Sequence, residues 1–395
     1  MPNFKTNSIT MPNFPIKFGN SEFSYKAICE ENESLIKVCQ NGEEFFIQVR
    51  EKKDGILLKA DKISRPSQVV FVQQALRDFR DLCECSVVFS NIESQKIKNK
   101  KRFDVIKDID FFAGRFENKK EIWIEIGFGS GRHLLYQAKK HKDIEFVGLE
   151  IHKPSIEQVA KQCEIQNIDN ISILNHDARI FLEFLNSNSV GKIFVHFPVP
   201  WDKKPHRRVI SSEFIGESIR VLKQNGTLEL RSDSEKYFKY SLEEFLKLNK
   251  LNITINKNKN LDISSKYEDR WKKQAKDIYD ITFKNEEFSK EKEKIDKIRF
   301  NKTYDFKKIV KNFHKIVKNE KDFFLHVETI FTINENEGLI KLSLGASSKN
   351  ERVYVEFLRD RVSYFPDCVL ETKANREAHN LFIEWLDGIT NGISK

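Results

Sequence analysis

The chain has 395 residues, with 68 Lys+Arg against 59 Asp+Glu, a formal net charge of +9. Its 39% hydrophobic and 32% charged residues describe a folded globular protein and exclude an intrinsically disordered one. At roughly 100–200 residues per domain, the length predicts two or three domains. No apolar run reaches the ~18 residues of a membrane span. The start MPNFKTNSIT lacks an apolar signal core, which predicts a protein that is not exported. Cys29, Cys39, Cys83, Cys85, Cys163 and Cys368 make no paired knuckles. No structural zinc or other metal site is expected, and free thiols in a reducing cytoplasm are the simplest reading. The positive charge permits an anionic partner such as nucleic acid.

Residues 1 to about 65 read as short strands, at 35–38, 45–49 and 55–58, with Asn41-Gly42 as a turn signal. Residues 67–82 carry a helical spacing of apolar side chains. The basic stretch 96–102 reads as a linker. From about 106 to 285 strands alternate with helices. The strands are expected at 123–126, 145–149, 171–174, 192–195 and 227–230, and helices follow to about 142, at 154–166 and at 214–222. This alternation predicts a mainly parallel sheet with crossover helices.

Beyond 285 the composition changes. Residues 284–321 hold 13 Lys+Arg and 7 Asp+Glu, so they carry +6. Ile309, Val310, Phe313, Ile316 and Val317 fall on one face of an expected helix, with lysines largely opposite. Strands are expected at 325–333, 338–344 and 352–357, and a terminal helix at 376–385. No internal repeat is evident. The expected organisation is an N-terminal β-rich stretch (1–105), an α/β domain (106–285) and a basic helical segment with a small α+β domain (286–395).

Three features carry chemistry. First, Glu125-Ile126-Gly127-Phe128-Gly129-Ser130-Gly131 ends a strand and opens a helix. Its glycines let the backbone turn sharply and approach a ligand. The spacing is GxGxG, where dinucleotide folds show GxGxxG. Second, Glu150 and Asp177 follow the next two strands. An acid at Glu150 can accept both hydroxyls of a ribose, and Asp177 can meet an adenine amino group. Three strand-end acids beside one glycine loop suit an adenosine ligand with a positive end and no pyrophosphate, a description that S-adenosylmethionine meets. Third, His196-Phe197-Pro198-Val199-Pro200-Trp201-Asp202-Lys203-Lys204-Pro205-His206-Arg207-Arg208 follows the fourth strand. Its prolines stiffen the loop, Trp201 offers a face for stacking, and Lys203, Lys204, Arg207 and Arg208 can contact phosphates.

With these residues in hand, the stretch 106–285 resembles the bacterial tRNA (guanine-N7)-methyltransferase family. EIGFGSG (125–131) is similar to that family's cofactor loop. GLEIHKP (148–154) and His176-Asp177-Ala178 resemble its second and third motifs. HFPVPWDKKPHRR is similar to its PDPW signature, Arg231 to Tyr237 to its TD-x-x-x-Y element, and Ser265 to Arg270 to its final T-x-Y/F-E-x-R/K motif. The resemblance implies a Rossmann-like class I methyltransferase domain in an α/β protein. It would be flanked by an N-terminal β-rich and a C-terminal α+β domain. It implies methyl transfer from S-adenosylmethionine to N7 of guanine 46 in the tRNA variable loop. Glu125, Gly127, Gly129, Gly131, Glu150, Asp177 and the position of Val199 would then form the cofactor site. Lys203, Asp233, Ser265 and Glu268, with Trp201, Arg207 and Arg208, would meet tRNA.

This sequence departs from the pattern at Val199, where the family has an active-site aspartate, and at Ser232 and Ser265, where serine replaces threonine. Guanine N7 has a free lone pair, so transfer needs no general base. A carboxylate would steady the developing charge. Asp233, Glu268 and Asp202 are the candidates for that role. Three other readings remain: a methyltransferase of another substrate, a degenerate tRNA-binding module, and a nicotinamide oxidoreductase. No protein partner or oligomeric state is indicated.

Overall fold

The computed structural model describes residues 2–66, 69–92, 103–107, 109, 111–112, 120–263, 268–270, 274–293, 295–346, 349–366 and 368–391. The chain forms two compact units, one of residues 1–100 with 295–395 and one of 101–294. Among the described residues no helix is long and apolar enough to cross a membrane. None of the six cysteines is in a disulfide.

In the first unit the chain opens with strands β1 (Asn3–Thr6), β2 (Ile16–Phe18), β3 (Ser21–Cys29), β4 (Glu33–Gln40), β5 (Glu43–Lys52) and β6 (Gly55–Ala60). Helix α1 (Val69–Leu82) and strand β7 (Val87–Ser90) follow. The β4–β5 hairpin turns at Asn41-Gly42, both at positive φ, as the sequence signals.

The second unit is an eight-stranded sheet with helices. Its elements are β8 (Ile106–Lys107), β9 (Glu121–Ile126), α2 (Arg132–Lys140), β10 (Ile144–Leu149), α3 (Lys153–Ile165), β11 (Ile171–Leu174) and α4 (Ala178–Phe181). Then come β12 (Val190–His196), α5 (Ser212–Val221), β13 (Leu222–Ser232), α6 (Glu235–Leu246), β14 (Ile253–Lys257) and β15 (Tyr279–Lys284). The strand order is β14-β15-β13-β12-β9-β10-β11-β8. All neighbours are parallel except the pairs that β15 makes with β13 and β14. The winding goes outward from β9 through β10 and β11, then returns to β9's other side with β12. That reversal opens a crevice at the carboxyl ends of β9 and β12, where such sheets bind ligands. One face packs Ile122, Ile124 and Ile126 against α5 and α6 residues; the other packs Trp123, Phe146 and Phe194 against α2 and α3.

The returning chain completes the first unit with α7 (Phe306–Asn312), β16 (Ile316–Asn319), β17 (Phe324–Asn334), β18 (Glu337–Ala346), β19 (Lys349–Leu358), β20 (Arg361–Phe365) and α8 (Lys373–Asn391). The helical face expected over 309–317 is cut short. Helix α7 ends at Asn312, and Ile316–Asn319 instead pairs with Phe324–Val327. A ladder outweighs the local helical spacing. The terminal helix runs longer than expected in both directions, and strands β14 and β15 were not anticipated.

The first unit also holds a repeat that the sequence conceals. β3–β6 with α1, and β17–β20 with α8, are the same four-stranded meander followed by a helix. The two meanders join where Ile28 pairs with Thr332 across antiparallel β3 and β17. Their registers correspond: Ala27 faces Leu35 and Lys37 faces Phe46, as Phe331 faces Leu339 and Lys341 faces Tyr354. Those equivalent positions (Ala27 and Phe331, Leu35 and Leu339, Phe46 and Tyr354) share one core cluster. The rings of Phe46 and Tyr354 meet edge-on at 5.2 Å. On the opposite faces, α1 covers Ile36, Val38, Phe45 and Ile47, while α8 covers Ile340, Leu342, Val353 and Val355. The two flanking stretches expected as separate domains are therefore one unit, because the inner face of each meander is buried against the other.

Candidate functional site

The glycine loop leaves β9 at the crevice. Gly127, Gly129 and Gly131 all have positive φ, at 71°, 52° and 69°. Gly131 caps α2, and a Cβ there would lie 2.3 Å from Val159 Cγ2, so the close approach of α2 to α3 requires glycine. A Cβ on Gly127 would meet nothing within 4 Å, so this part of the backbone is open to a ligand.

Glu150 braces the loop. Its Oε2 accepts from Gly129 N at 2.9 Å, and its Oε1 accepts from Ile151 N at 2.8 Å and His152 N at 2.9 Å. Each carboxylate oxygen takes about two hydrogen bonds, so one site on Oε2 is left for a ribose hydroxyl. Asp177 caps α4, accepting from Arg179 N at 2.9 Å, and is gripped by the Arg179 guanidinium at 2.6 Å from Oδ2. Burial raises the Asp177 carboxyl, but Arg179 outweighs it and holds the group below its ordinary range. Arg179 thus competes for the oxygens that the sequence assigns to an adenine.

Glu125 is buried and accepts from His133 Nδ1, the atoms 2.8 Å apart. On the same face of the sheet His196 lies 2.7 Å from Glu229. Burial opposes the Glu229 charge, but His196 and the neighbouring Arg231 and His133 bring its carboxyl down to about 2. Arg231, 1% exposed, stands 3.4 Å from Glu268 and 3.2 Å from Asp280. Burial pushes the Asp280 carboxyl up to about 6, against the pull of Arg231. The sequence does not single out His133, Glu229 or Asp280; a charged side chain within an apolar strand marks Glu229 and Asp280, and His133 sits on the buried face of α2.

The loop after β12 is strained. Phe197 and Trp201 both have positive φ, at 52° and 48°, a costly conformation for such residues that is held by the surroundings. Phe197 N donates to Arg231 O at 2.8 Å. Arg208 is the main clamp. Its Nε donates to Pro200 O at 2.8 Å, and its guanidinium lies over the Tyr240 ring at 4.4 Å and 3.4 Å from Asp202. At 8% exposure it secures the loop and is withdrawn from the phosphate contacts expected of it. Arg207 remains exposed and lies 5.1 Å over the Trp201 ring. Lys203 and Lys204 are exposed, and Val199 is 60% exposed.

Asp233 follows β13 and accepts from Lys276 Nζ at 3.1 Å. Glu268, expected beside the substrate, is 1% exposed, with its carboxylate turned to Arg231. There Glu268 braces an interior arginine. Ser265 lies outside the described residues. Among the described residues no group of three or more His, Cys, Asp and Glu is placed to hold a metal.

A doubly wound sheet, a glycine loop with three positive-φ glycines and strand-end acids define a class I methyltransferase, and the residues present fit S-adenosylmethionine. A family model described as a putative methyltransferase matches residues 119–281. A tRNA (guanine-N(7)-)-methyltransferase of Campylobacter jejuni strain 81-176 is 43% identical over 362 residues, covering 90% of this chain and 91% of the relative. One of Wolinella succinogenes is 39% identical over 394 residues, 98% of this chain and all of the relative. One of Helicobacter hepaticus is 35% identical over 407 residues, covering 98% and 99%. The chain belongs to the tRNA (guanine-N7)-methyltransferase family. It is an enzyme that depends on S-adenosylmethionine, and the nicotinamide reading is set aside.

Proposed function

We propose that the protein transfers a methyl group from S-adenosylmethionine to N7 of a guanine in tRNA, the guanine at position 46 of the variable loop. The observation that carries this reading is the full-length likeness to relatives of that name, joined to a braced glycine loop at the sheet's crevice. Bound S-adenosylmethionine supplies an electrophilic methyl group. Guanine N7 attacks it in line, and holding the two near contact can supply about 7–11 kcal/mol of the barrier. Glu125 and the open position of Glu150 face the cofactor. Trp201 with Arg207 forms a stacking platform for a base, and Asp233 lies where a carboxylate can steady the positive purine. Glu268, held by Arg231, stands behind this set as a further carboxylate of the site.

The absence of an acid at Val199 favours a second reading, a domain that binds tRNA without chemistry. The deciding experiment is transfer of labelled methyl to unmodified tRNA, followed by mapping of the base. N7-methylguanine in the variable loop supports the proposal. Binding of both ligands without transfer supports the second reading, and methyl on another atom overturns the substrate assignment.

The first unit contributes a basic strip. Lys302, Lys307 and Lys315 are paired with Asp387, Glu335 and Glu31. Lys308, Lys311, Lys318 and Lys321 on the same segment are exposed and make no ion pair among the described residues. These four are the lysines we assign to tRNA phosphates. The reading places the protein in the cytoplasm, where tRNA is modified.

A further inference from the structure

Under the glycine loop, the imidazoles of His133 and His196 lie with centroids 4.7 Å apart, tilted by 56°. Each ring is tied to its own carboxylate, His133 to Glu125 at 2.8 Å and His196 to Glu229 at 2.7 Å. The remaining neighbours come from each packed element. Gln137 of α2 reaches His133 Nε2 at 3.1 Å, and Phe194 of β12 meets both rings. From β13 comes Arg231, itself flanked by Glu268 and by Asp280 of β15. Arg132, at the start of α2, is engaged with Asp269.

This layer holds four carboxylates (Glu125, Glu229, Glu268 and Asp280) and one guanidinium. The His133 imidazole is its adjustable positive charge, and Asp280, its carboxyl pushed up to about 6, is its adjustable acid. The two rings are close enough for a charge on one to act on the other.

We propose that His133 is a proton site coupled to the cofactor, so that a cationic group seated against Glu125 drives a proton off its imidazole into solvent. The inference rests on the reading that S-adenosylmethionine binds with its amino group at Glu125. Charge balance gives the reason: a carboxylate that already faces an imidazolium attracts a second cation less than one that faces a neutral ring. Burial lowers the basicity of His133, but Glu125 and Glu229 overcome this and raise it, which favours the charged ring that a second cation would displace. His133 is then a positioning residue, acting on the cofactor through Glu125.

The test is calorimetric titration of the full chain with S-adenosylmethionine, in two buffers of different ionisation enthalpy. The pH runs from about 5.5 to about 6.7, a unit below the ~7.7 midpoint of an α-amino group, which therefore stays charged throughout. Affinity is expected to rise with pH, by up to about tenfold per unit for one linked proton, with buffer-dependent heat showing its release. S-adenosylhomocysteine, which keeps the amino group, is expected to release the same proton. His133→Asn is expected to flatten the pH profile and abolish the release. The wild-type proton count stands as the test if that variant does not fold. Tight binding with a flat profile and no proton release overturns the coupling. Failure to bind at every pH overturns the cofactor reading itself, so the two failures are distinct.

Discussion

Replacing Glu150 with Gln tests whether the strand-end acid has two duties. In the structure one carboxylate accepts three backbone N–H groups, from Gly129, Ile151 and His152, at 2.8–2.9 Å. Hydrogen bonds to a charged acceptor are worth about 1.5–3 kcal/mol each, and the half-buried position argues for the lower end. Glutamine can keep its oxygen toward Ile151 and His152, as neutral bonds of about half the strength. Its NH2 then faces the Gly129 N–H, so that bond is lost. The sum is a destabilisation of about 2–3 kcal/mol. For a unit of this size, each kcal/mol lowers Tm by about 2–4 °C, so a fall of about 4–12 °C is expected without ligand. Affinity for S-adenosylmethionine should fall at least about tenfold, because the glycine loop loosens and a charged ribose acceptor disappears. Thermal unfolding and calorimetric titration of the same preparation check both. A Tm within about 1 °C of wild type would refute the bracing argument, even if affinity fell. An unchanged affinity would refute the ribose assignment.

Asp233→Asn should lower methyl transfer by about 10²-fold while leaving cofactor binding intact, as removal of one charge-stabilising group does elsewhere; a wild-type rate removes Asp233 from the site. Changing Lys308, Lys311, Lys318 and Lys321 to Gln should reduce the slope of log Kd for tRNA against log salt by up to about 3, and an unaltered slope takes the strip off the binding surface. In the first unit, Lys37 is buried with Glu356 at 2.7 Å and lies 4.1 Å over the Phe365 ring. Lys37→Met should cost about 3–5 kcal/mol in urea unfolding by stranding the Glu356 carboxylate. Adding Glu356→Gln, which still accepts from Tyr25, should recover most of that loss, and additive losses would refute the pairing argument.

The class of the α/β unit was legible in the chain because its evidence is local. A strand, a glycine turn and a helix must be adjacent in sequence to work, so EIGFGSG and the acids at Glu150 and Asp177 announce themselves. The alternation of strand and helix over 106–285 is likewise written in short segments. The surroundings of Arg208 and Glu268 are not legible for the opposite reason. A charged residue beside a motif looks exposed, and only folding shows that Tyr240 and Pro200 enclose the first and Arg231 the second.

Short-range pattern in the chain suffices for the strand-end acids, the glycine loop and the family, because those depend on residues a few positions apart and on backbone conformations that few side chains allow. The tertiary structure decided what distance along the chain hides. It set the strand order that brings Glu125, His133, His196 and Glu229 onto one buried face, and the Arg179 grip on Asp177. It also joined two flanks into one duplicated unit. Its halves keep the same ladder registers and the same inward positions, but few of the same residues. Burial asks only for an apolar side chain of suitable volume on the correct face, and many sequences satisfy that.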